Sequence, residues 1–237
     1  MADARRVLVT GASRGLGAAL ARKLAARGHP LLLVARDEAQ LAQRAAECRT
    51  AGAPAVHCAA DLALAGECAR VAQAAAQAFG GVDVLVNNAG IGPYRPFTEN
   101  TPEDLVRIVA LNLTAPMLLA HALLPGMLAR GHGHVVNIAS DLARRPLARM
   151  APYVATKFGL LGFSGSLHRE LRAQGLKVTT VLPGIIDSSF NGAAEGSREA
   201  RWAMPTADLA QQVVALLDLP PHLVADEIAL HPADGDY

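Results

Sequence analysis

Residues 7–17 read Val7-Leu-Val-Thr-Gly-Ala-Ser-Arg-Gly-Leu-Gly17, a short apolar run followed by a glycine-rich turn and the start of a helical segment. A strand, a glycine loop and a helix in this order form a phosphate-binding unit. We expect Gly11 to permit the tight turn, and Gly15 and Gly17 to let the backbone and the helix N-terminus approach a phosphate group. Three residues separate the first two glycines, so the loop departs from the common GxGxxG spacing.

The remainder of the chain continues this alternation of apolar runs and helical stretches. Strands are predicted at 7–10, 31–34, 55–58, 82–86, 135–138, 178–182 and 227–231. Helices are predicted at 15–27, 38–51, 64–79, 102–130, 153–174 and 206–217. The alternation predicts one α/β domain over 1–237, with a doubly wound parallel β-sheet of about seven strands and helices on both faces.

Composition narrows the class of protein. The 237 residues are 51% hydrophobic and 18% charged, and the formal net charge is +1. This balance gives no electrostatic reason to expect a nucleic acid or an anionic membrane as partner. No uninterrupted apolar run reaches the roughly 18 residues of a membrane span, and the opening residues do not resemble a signal peptide. We therefore expect a cytoplasmic protein, with Cys48, Cys58 and Cys68 as reduced core thiols and no metal site.

Tyr153 and Lys157 are the first candidates for chemistry. Residues four apart share one face of a helix, and an ammonium group there favours the phenolate form of tyrosine. The pKa of the tyrosine is then lowered towards the working range of a general acid or base. Ser140 lies thirteen residues before Tyr153. On spacing alone, however, a tyrosine and a lysine are more often mere neighbours on a helix.

The end of the second predicted strand bears on the choice of nucleotide. An acidic residue there binds the ribose 2′-hydroxyl of NAD, whereas an arginine suits the 2′-phosphate of NADP. The chain has Arg36 followed by Asp37, and Arg14 and Ser13 in the glycine loop can reach the same phosphate. Two guanidinium groups favour NADP(H). An inward-facing Asp37 would repel the phosphate, so NAD(H) remains the alternative.

The motifs of the whole chain also occur in a known order and spacing. They are Thr10-Gly-Ala-Ser-Arg-Gly-Leu-Gly17, Asp61-Leu62, Asn87-Asn-Ala-Gly90, Asn112, Ser140, Tyr153 with Lys157, and Pro183-Gly184. In this arrangement the chain resembles the short-chain dehydrogenase/reductase superfamily, in its main single-domain group, along nearly its whole length. The resemblance implies a Rossmann-like fold and an oxidoreductase that acts on alcohol or carbonyl groups with NADP(H).

The resemblance also implies roles for four catalytic residues. Tyr153 would protonate the carbonyl oxygen during reduction, or deprotonate the alcohol during oxidation. Ser140 would hold that oxygen, and Lys157 would bind the nicotinamide ribose and lower the pKa of Tyr153. Asn112 would hold a water that relays protons to Lys157. Pro116 cannot donate to the Asn112 carbonyl, so we expect that carbonyl to be free and the helix to bend there.

The matched positions imply a set of cofactor contacts. They are Gly11, Ser13, Arg14, Gly15, Leu16, Gly17, Arg36, Asp61, Leu62, Asn88, Ala89, Gly90, Tyr153, Lys157, Pro183, Gly184, Ile186 and Ser188. Asn88 is alternatively a brace for the sheet. Ser188 stands where similar proteins often have threonine, and it keeps the hydroxyl.

The substrate is less defined by the sequence. Residues 187–205 are polar and rich in small residues, which predicts a substrate lid, with a plain surface excursion as the alternative. We expect a small-molecule ketone, aldehyde or secondary alcohol, hence a carbonyl reductase or alcohol dehydrogenase. Two alternatives stay open, a 3-oxoacyl-[acyl-carrier-protein] reductase and a non-catalytic NADP(H) sensor. The ending Asp234-Gly-Asp-Tyr237 lacks the paired glycines common in the former.

Several side chains near the motifs have two interpretations. Arg144, Arg145 and Arg149 suggest either an acidic substrate or, more simply, a solvated surface. Five apolar side chains either line an apolar substrate pocket or simply pack in the fold. They are Tyr94, Phe97, Phe190, Trp202 and Met204.

The resemblance further implies a homodimer or homotetramer, paired through the predicted helices 102–130 and 153–174. Candidate outer residues on these helices are Leu118, Leu119, Leu123, Phe163 and Leu167, which could be core residues instead.

Overall fold

A computed structural model describes residues 4–192 and 194–234. Within these residues, seven parallel strands form one sheet in the spatial order β3-β2-β1-β4-β5-β6-β9. The strands are β1 Val7–Thr10, β2 Leu31–Ala35, β3 Ala55–Ala59, β4 Val84–Asn87, β5 Gly133–Ile138, β6 Leu176–Pro183 and β9 Glu227–Leu230. The predicted doubly wound sheet is confirmed, and each predicted strand overlaps an observed one.

Helices cover both faces of the sheet. They are α1 Gly15–Ala25, α2 Glu38–Thr50, α3 Glu67–Phe79, α4 Pro102–Val109, α5 Ala115–Arg130, α6 Ala151–Leu171 and α7 Thr206–Ala215. In β1, Val7 and Val9 face a core formed with α1, α2 and α7, while Leu8 faces a second core formed with α3 and α5. Because successive side chains point to opposite faces, a strand buried on both sides is apolar throughout.

The strand order places the candidate site. β1 pairs with β2 on one side and with β4 on the other, so the crossover connections leave β1 in opposite directions. The loops at the carboxyl ends of β1 and β4 therefore separate and leave a crevice, which is where ligands bind in open α/β sheets.

The predicted helix 102–130 is interrupted. A π-helical turn, Ala110–Thr114, separates α4 from α5, and Ala115 N donates to the carbonyl of Ala110. Pro116 lacks an N–H group, so the α-helical hydrogen bond to Asn112 cannot form and the wider turn replaces it. The expected irregularity is present as a π-helical turn. The combined run Pro102–Arg130 is long and apolar enough to cross a membrane, but its buried residues pack into the core of the sheet.

The segment after β6 contains a strand pair that the sequence did not predict. β7 Ile186–Asp187 pairs in parallel with β8 Met204–Pro205, so the two ends of the segment lie side by side. A 3₁₀ turn, Phe190–Gly192, lies within it. Ala193 of the predicted lid and residues 235–237 of the chain ending lie outside the described residues.

The three cysteines lie where the sequence placed them. Cys48, Cys58 and Cys68 are buried and free. Cys48 packs in the core on one face of the sheet, and Cys58 and Cys68 pack in the core on the other face.

Candidate active site

A cavity of about 600 Å³ opens at the carboxyl ends of β1, β2, β3 and β4. Eleven of its lining residues are predicted cofactor contacts: Gly11, Ser13, Arg14, Gly15, Arg36, Asp61, Leu62, Asn88, Ala89, Gly90 and Ser188. Its other lining residues are Ala35, Asp37, Gln40, Ala60, Ile91, Leu111, Ser189, Phe190 and Gly192. The sequence motifs thus converge on one concave site although they are far apart in the chain.

The glycine loop exposes the amino end of α1 to this cavity. Gly11 and Gly15 have φ angles of +66° and +54°, a region that glycine adopts without strain. No side chain caps α1, and its first turn contains no acidic residue. The unpaired N–H groups and the positive end of the helix dipole therefore favour an anion at this point.

Gly17 is where α1 packs against the glycine loop. A Cβ atom at this position would lie 2.1 Å from the Gly11 carbonyl oxygen and 2.7 Å from Asn88 Nδ2. Gly17 does not line the cavity. Its missing side chain lets α1 pack against the loop, and its predicted role in the approach of a phosphate stays a prediction.

Arg14 and Arg36 are exposed at the rim of the cavity. The neighbouring Asp37 is the N-cap of α2, where Oδ1 accepts from Gln40 N at 2.9 Å and Oδ2 accepts from Gln40 Nε2 at 2.8 Å. Both carboxylate oxygens are therefore engaged by Gln40. The two guanidinium groups provide the positive charge that a phosphate requires.

Asn88 braces the glycine loop, as the alternative interpretation predicted. Its Nδ2 donates to the Thr10 carbonyl at 2.9 Å and to the Gly11 carbonyl at 3.3 Å. The Thr10 hydroxyl in turn accepts from the N–H groups of Asn88 and Ala89 at 2.9 and 3.0 Å. This network of hydrogen bonds joins the carboxyl ends of β1 and β4 at the edge of the cavity.

Asp61 is held by Arg107 of α4, which donates to Oδ2 at 2.7 Å, and by Ala63 N, which donates to Oδ1 at 3.2 Å. Partial burial opposes ionisation, but these hydrogen bonds outweigh it and lower the pKa of Asp61. Asp61 is therefore ionised at neutral pH, and Leu62 lies buried beside it.

Tyr153 and Lys157 lie on one face of α6, as their spacing predicted. Lys157 Nζ is 5.5 Å from the centroid of the Tyr153 ring and donates to the Ile138 carbonyl at 2.8 Å. Both side chains are buried, with Ser140 just beyond the end of β5 beside them. A Cβ atom on Gly90 would lie 3.9 Å from Lys157 Nζ, so Lys157 borders the cavity at Gly90.

The expected lowering of the pKa of Tyr153 is not what these side chains produce. Burial raises the pKa of Tyr153 to about 12, although a hydrogen bond with Ser140 lowers it and the charge of Asp141 adds to the rise. Burial also lowers the pKa of Lys157 to about 8, so the ammonium form itself is disfavoured. Desolvation is thus the largest cause of the shift in each of the two pKa values.

Asn112 acts through its side chain. Oδ1 accepts from Ile91 N at 2.9 Å, while Nδ2 donates to the Ile91 carbonyl at 2.8 Å and to Thr156 Oγ1 at 3.2 Å. The buried amide thereby ties the loop after β4 to the π-helical turn and to α6. The predicted water relay through its carbonyl remains a prediction.

Some predicted contacts lie outside the lining of the cavity. Leu16 is buried in the core. Pro183 ends β6, and Gly184 N donates to the Leu230 carbonyl at 2.8 Å. Ile186 packs against the core from β7. Their places as cofactor contacts stay predictions that rest on the motif.

Phe190 connects the cavity to the catalytic group. It lines the cavity, and its ring centroid is 5.9 Å from that of Tyr153 at an interplanar angle of 56°. A Cβ atom on Gly92 would lie 2.6 Å from Tyr153 Cδ2 and 3.0 Å from Phe190 Cζ, so only glycine fits between the rings. The sequence named Phe190 only as a possible pocket residue and gave no signal for Gly92, since the contact is tertiary.

Comparisons with known proteins agree with this geometry. The family model for short chain dehydrogenases matches residues 5–199. A sepiapterin reductase from Chlorobaculum tepidum is 32% identical, covering 97% of this chain and 97% of the relative. A candidate ketoacyl reductase of the granaticin polyketide synthase of Streptomyces violaceoruber is 38% identical, covering 81% of this chain and 70% of the relative.

Solved structures give the same assignment. A metagenomic short-chain oxidoreductase in complex with NADP superposes with a TM-score of 0.85 at 35% identity, covering 97% of both chains. Because the family model spans most of the chain and these similarities extend across nearly all of it, the chain belongs to the short-chain dehydrogenase/reductase superfamily of oxidoreductases.

Proposed function

We propose that the protein is an NADP(H)-dependent carbonyl reductase or alcohol dehydrogenase that interconverts a ketone or aldehyde and the corresponding alcohol. One observation carries the proposal. Tyr153, Lys157 and Ser140 are buried together, and Lys157 lies next to Gly90, which lines the cavity of about 600 Å³. A non-catalytic sensor would not need this group, so the enzyme is the stronger reading.

The chain's own groups fit NADP(H). The uncapped amino end of α1 and the glycine loop suit the pyrophosphate, and Arg14 and Arg36 suit the 2′-phosphate. Asp37 keeps its negative charge, but Gln40 holds both of its oxygens at the N-cap of α2, and the two guanidinium groups outnumber that charge. The similar metagenomic oxidoreductase was crystallised with NADP, which supports this choice.

When bound, the nicotinamide ring supplies or accepts the hydride. In the reductive direction, the Tyr153 hydroxyl gives its proton to the substrate oxygen, and Ser140 holds that oxygen by a hydrogen bond. Lys157 then stands 5.5 Å from the tyrosine ring, where its positive charge stabilises the phenolate left behind. Burial of all three groups excludes water from the proton transfer.

A second candidate function is reduction of 3-oxoacyl groups on an acyl carrier. The 38% identity to the candidate ketoacyl reductase of Streptomyces violaceoruber favours it. Acyl-carrier substrates and free ketones would be distinguished by comparing kcat/KM for acetoacetyl-pantetheine with kcat/KM for simple ketones.

The test of the proposed function is the variant Tyr153→Phe, with NADPH consumption measured against a panel of aryl and alkyl ketones. We expect kcat to fall about 10²- to 10⁴-fold, because the proton donor is lost while the ring that packs on Phe190 remains. NADPH binding, followed by fluorescence titration, should be retained. Tyr94→Phe is the matched control, since Tyr94 is exposed and 5.1 Å from the Arg149 guanidinium. Equal rates for Tyr153→Phe and wild type would rule out this function.

We further propose that the protein works in the cytoplasm as a homodimer or homotetramer. The free, buried cysteines suit a reducing compartment. The helices α4, α5 and α6 leave Val106, Leu118 and Phe158 exposed, which supports a subunit contact on these helices. Of the outer residues predicted from sequence, Leu119 and Leu123 are instead buried, and Phe163 and Leu167 pack against the core.

A further inference from the structure

Asp141 directly follows Ser140 and begins a 3₁₀ turn, Asp141–Ala143, at the end of β5. The Ser140 hydroxyl donates to Asp141 Oδ1 at 3.0 Å and accepts from Leu142 N at 3.1 Å. A serine hydroxyl has one proton, and Asp141 is within reach to accept it, in competition with the Tyr153 oxygen, whose pKa a hydrogen bond from Ser140 lowers. The substrate oxygen needs this same proton, so Asp141 competes with the substrate for Ser140.

The Asp141 carboxylate is half-buried and has no ion-pair partner among residues 4–192 and 194–234. The nearby basic residues have other contacts. Arg144 pairs with Glu227, Arg145 lies 3.4 Å from His231, and Arg149 stacks on Tyr94. Asp141 is close enough to the catalytic centre for its negative charge to raise the pKa of Tyr153. A negatively charged acceptor without a cation therefore lies beside the reacting oxygen.

We propose that Asp141 binds a hydrogen-bond donor of the substrate, a hydroxyl or protonated amine on the carbon next to the carbonyl group. This inference rests on the proposed carbonyl reduction and names its substrate class: α-hydroxy and α-amino ketones, or the corresponding diols and amino alcohols. The Ser140 Oγ–Asp141 Oδ1 distance of 3.0 Å is close to the separation of oxygen atoms on adjacent carbons. One substrate can thus contact both residues at once.

The donor has two effects on the site. It satisfies the carboxylate, and it releases the Ser140 proton to the substrate carbonyl oxygen. A ketone without the donor leaves Asp141 to retain that proton, and sites built to accept a substrate hydrogen bond discriminate strongly against analogues that lack it. An α-keto acid places a second carboxylate beside Asp141 and is repelled.

The test compares three aryl ketones with NADPH as reductant. 2-Hydroxyacetophenone (the α-hydroxy ketone) carries the donor, propiophenone replaces its hydroxyl with a methyl group, and phenylglyoxylate replaces its whole hydroxymethyl group with a carboxylate. For wild type we expect kcat/KM to be about tenfold or more higher for 2-hydroxyacetophenone than for propiophenone. In Asp141→Ala we expect this ratio to fall close to one, because 2-hydroxyacetophenone then loses the contact that propiophenone never makes.

Asp208→Ala is the matched control, because Asp208 is an exposed acidic residue in the first turn of α7. Its substrate ratio should equal that of wild type. NADPH titration shows that each variant is folded, and Asp141→Asn keeps the side-chain shape if the alanine variant does not fold.

The outcomes separate the two claims. A wild-type ratio near one, a preference for phenylglyoxylate, or an unchanged ratio in the Asp141 variants overturns the role of Asp141 but leaves carbonyl reduction intact. Failure of wild type to reduce any of the three ketones while it binds NADPH overturns the proposed function itself.

Discussion

Burial makes Tyr153 and Lys157 depend on each other. Burial is the main cause that raises the pKa of Tyr153 to about 12, and it lowers the pKa of Lys157 to about 8. Each shift disfavours a charged form, but phenolate and ammonium formed together in the same dry site would attract strongly. In the resting protein Tyr153 is therefore a neutral proton donor. Once it has given its proton to the substrate, the nearby Lys157 ammonium group stabilises the phenolate.

Cofactor discrimination is a property of single residues at the cavity rim. In Arg36→Ala we expect NADPH affinity to fall about 10- to 100-fold, because one charge-assisted contact to a phosphate is lost. NADH affinity should hardly change, since NADH has no 2′-phosphate. Fluorescence titration of both nucleotides measures the ratio. Arg22→Ala, an exposed arginine on α1 outside the cavity lining, is the control, and a parallel loss of NADH affinity in Arg36→Ala would contradict the assignment.

The packing of α1 on the glycine loop depends on one missing methyl group. Gly17→Ala would place Cβ 2.1 Å from the Gly11 carbonyl oxygen, so we expect a loss of about 1–3 kcal/mol in the free energy of unfolding despite the better helix propensity of alanine. Urea denaturation measures the change.

Gly162 on α6 is the matched control for this substitution. A Cβ atom there meets no heavy atom within 4 Å, so Gly162→Ala should stabilise the protein by about 0.5–1 kcal/mol. The two substitutions should therefore differ in sign, and destabilisation of equal size in both would refute the packing argument.

Strand β5 carries a group that makes stability depend on pH. His134 is buried, its Nε2 lies 2.8 Å from Thr179 Oγ1, and burial lowers its pKa to about 3. Below the unfolded pKa of about 6.5 the unfolded chain binds a proton that the folded protein does not. Stability is therefore lost as the pH falls from about 6.5 towards 3.

From pH 7 to pH 5 we expect His134 alone to remove about 2 kcal/mol of unfolding free energy. His134→Gln, which can still bond to Thr179, should show a shallower pH dependence in urea titrations. The exposed His222→Gln is the control and should follow wild type. An unchanged pH dependence in His134→Gln would show that His134 is protonated in the folded protein.

Helix elements could be predicted from sequence to within a few residues, but their local deviations could not. Pro116 indicated an irregularity, since a proline lacks the N–H group that an α-helix requires. Within the π-helical turn that resulted, the Asn112 side chain bonds to Ile91 in the loop after β4 and to Thr156 in α6. Such contacts form only once the fold has assembled, so they cannot be predicted from the periodicity of apolar residues in the sequence.

At the scale of the whole molecule, the apolar runs were sufficient to predict the parallel sheet because strands buried on both faces carry an unmistakable composition. The glycine loop and Arg36 could be placed because they follow strand ends, where parallel strands bring their loops together. Gly92 and Asp141 could not be predicted. Gly92 matters because it contacts the Tyr153 ring, which is distant in sequence. Asp141 matters because it accepts a hydrogen bond from Ser140, and an aspartate after a serine is too common in sequences to indicate that contact.

The number of subunits is the property of the whole molecule that the structure of one protomer indicates least directly. We expect light scattering after size exclusion to show a dimer or tetramer, and Leu118→Arg to shift it towards monomer by burying a charge in the contact. Leu64→Arg is the control, because Leu64 is also exposed but precedes α3. A monomeric wild type would contradict the proposed contact.

The parallel pair β7–β8 has a consequence for how such proteins diversify. Ile186 faces Met204 and Asp187 faces Pro205, so the segment between them leaves and re-enters the framework at adjacent points. Residues 188–190 and Gly192 of this segment line the cavity, but residues 194–203 do not. The later part can therefore change in length or sequence while the cavity wall is kept, since closing a longer loop costs little. It is the place where an inserted segment could redirect the enzyme to new substrates.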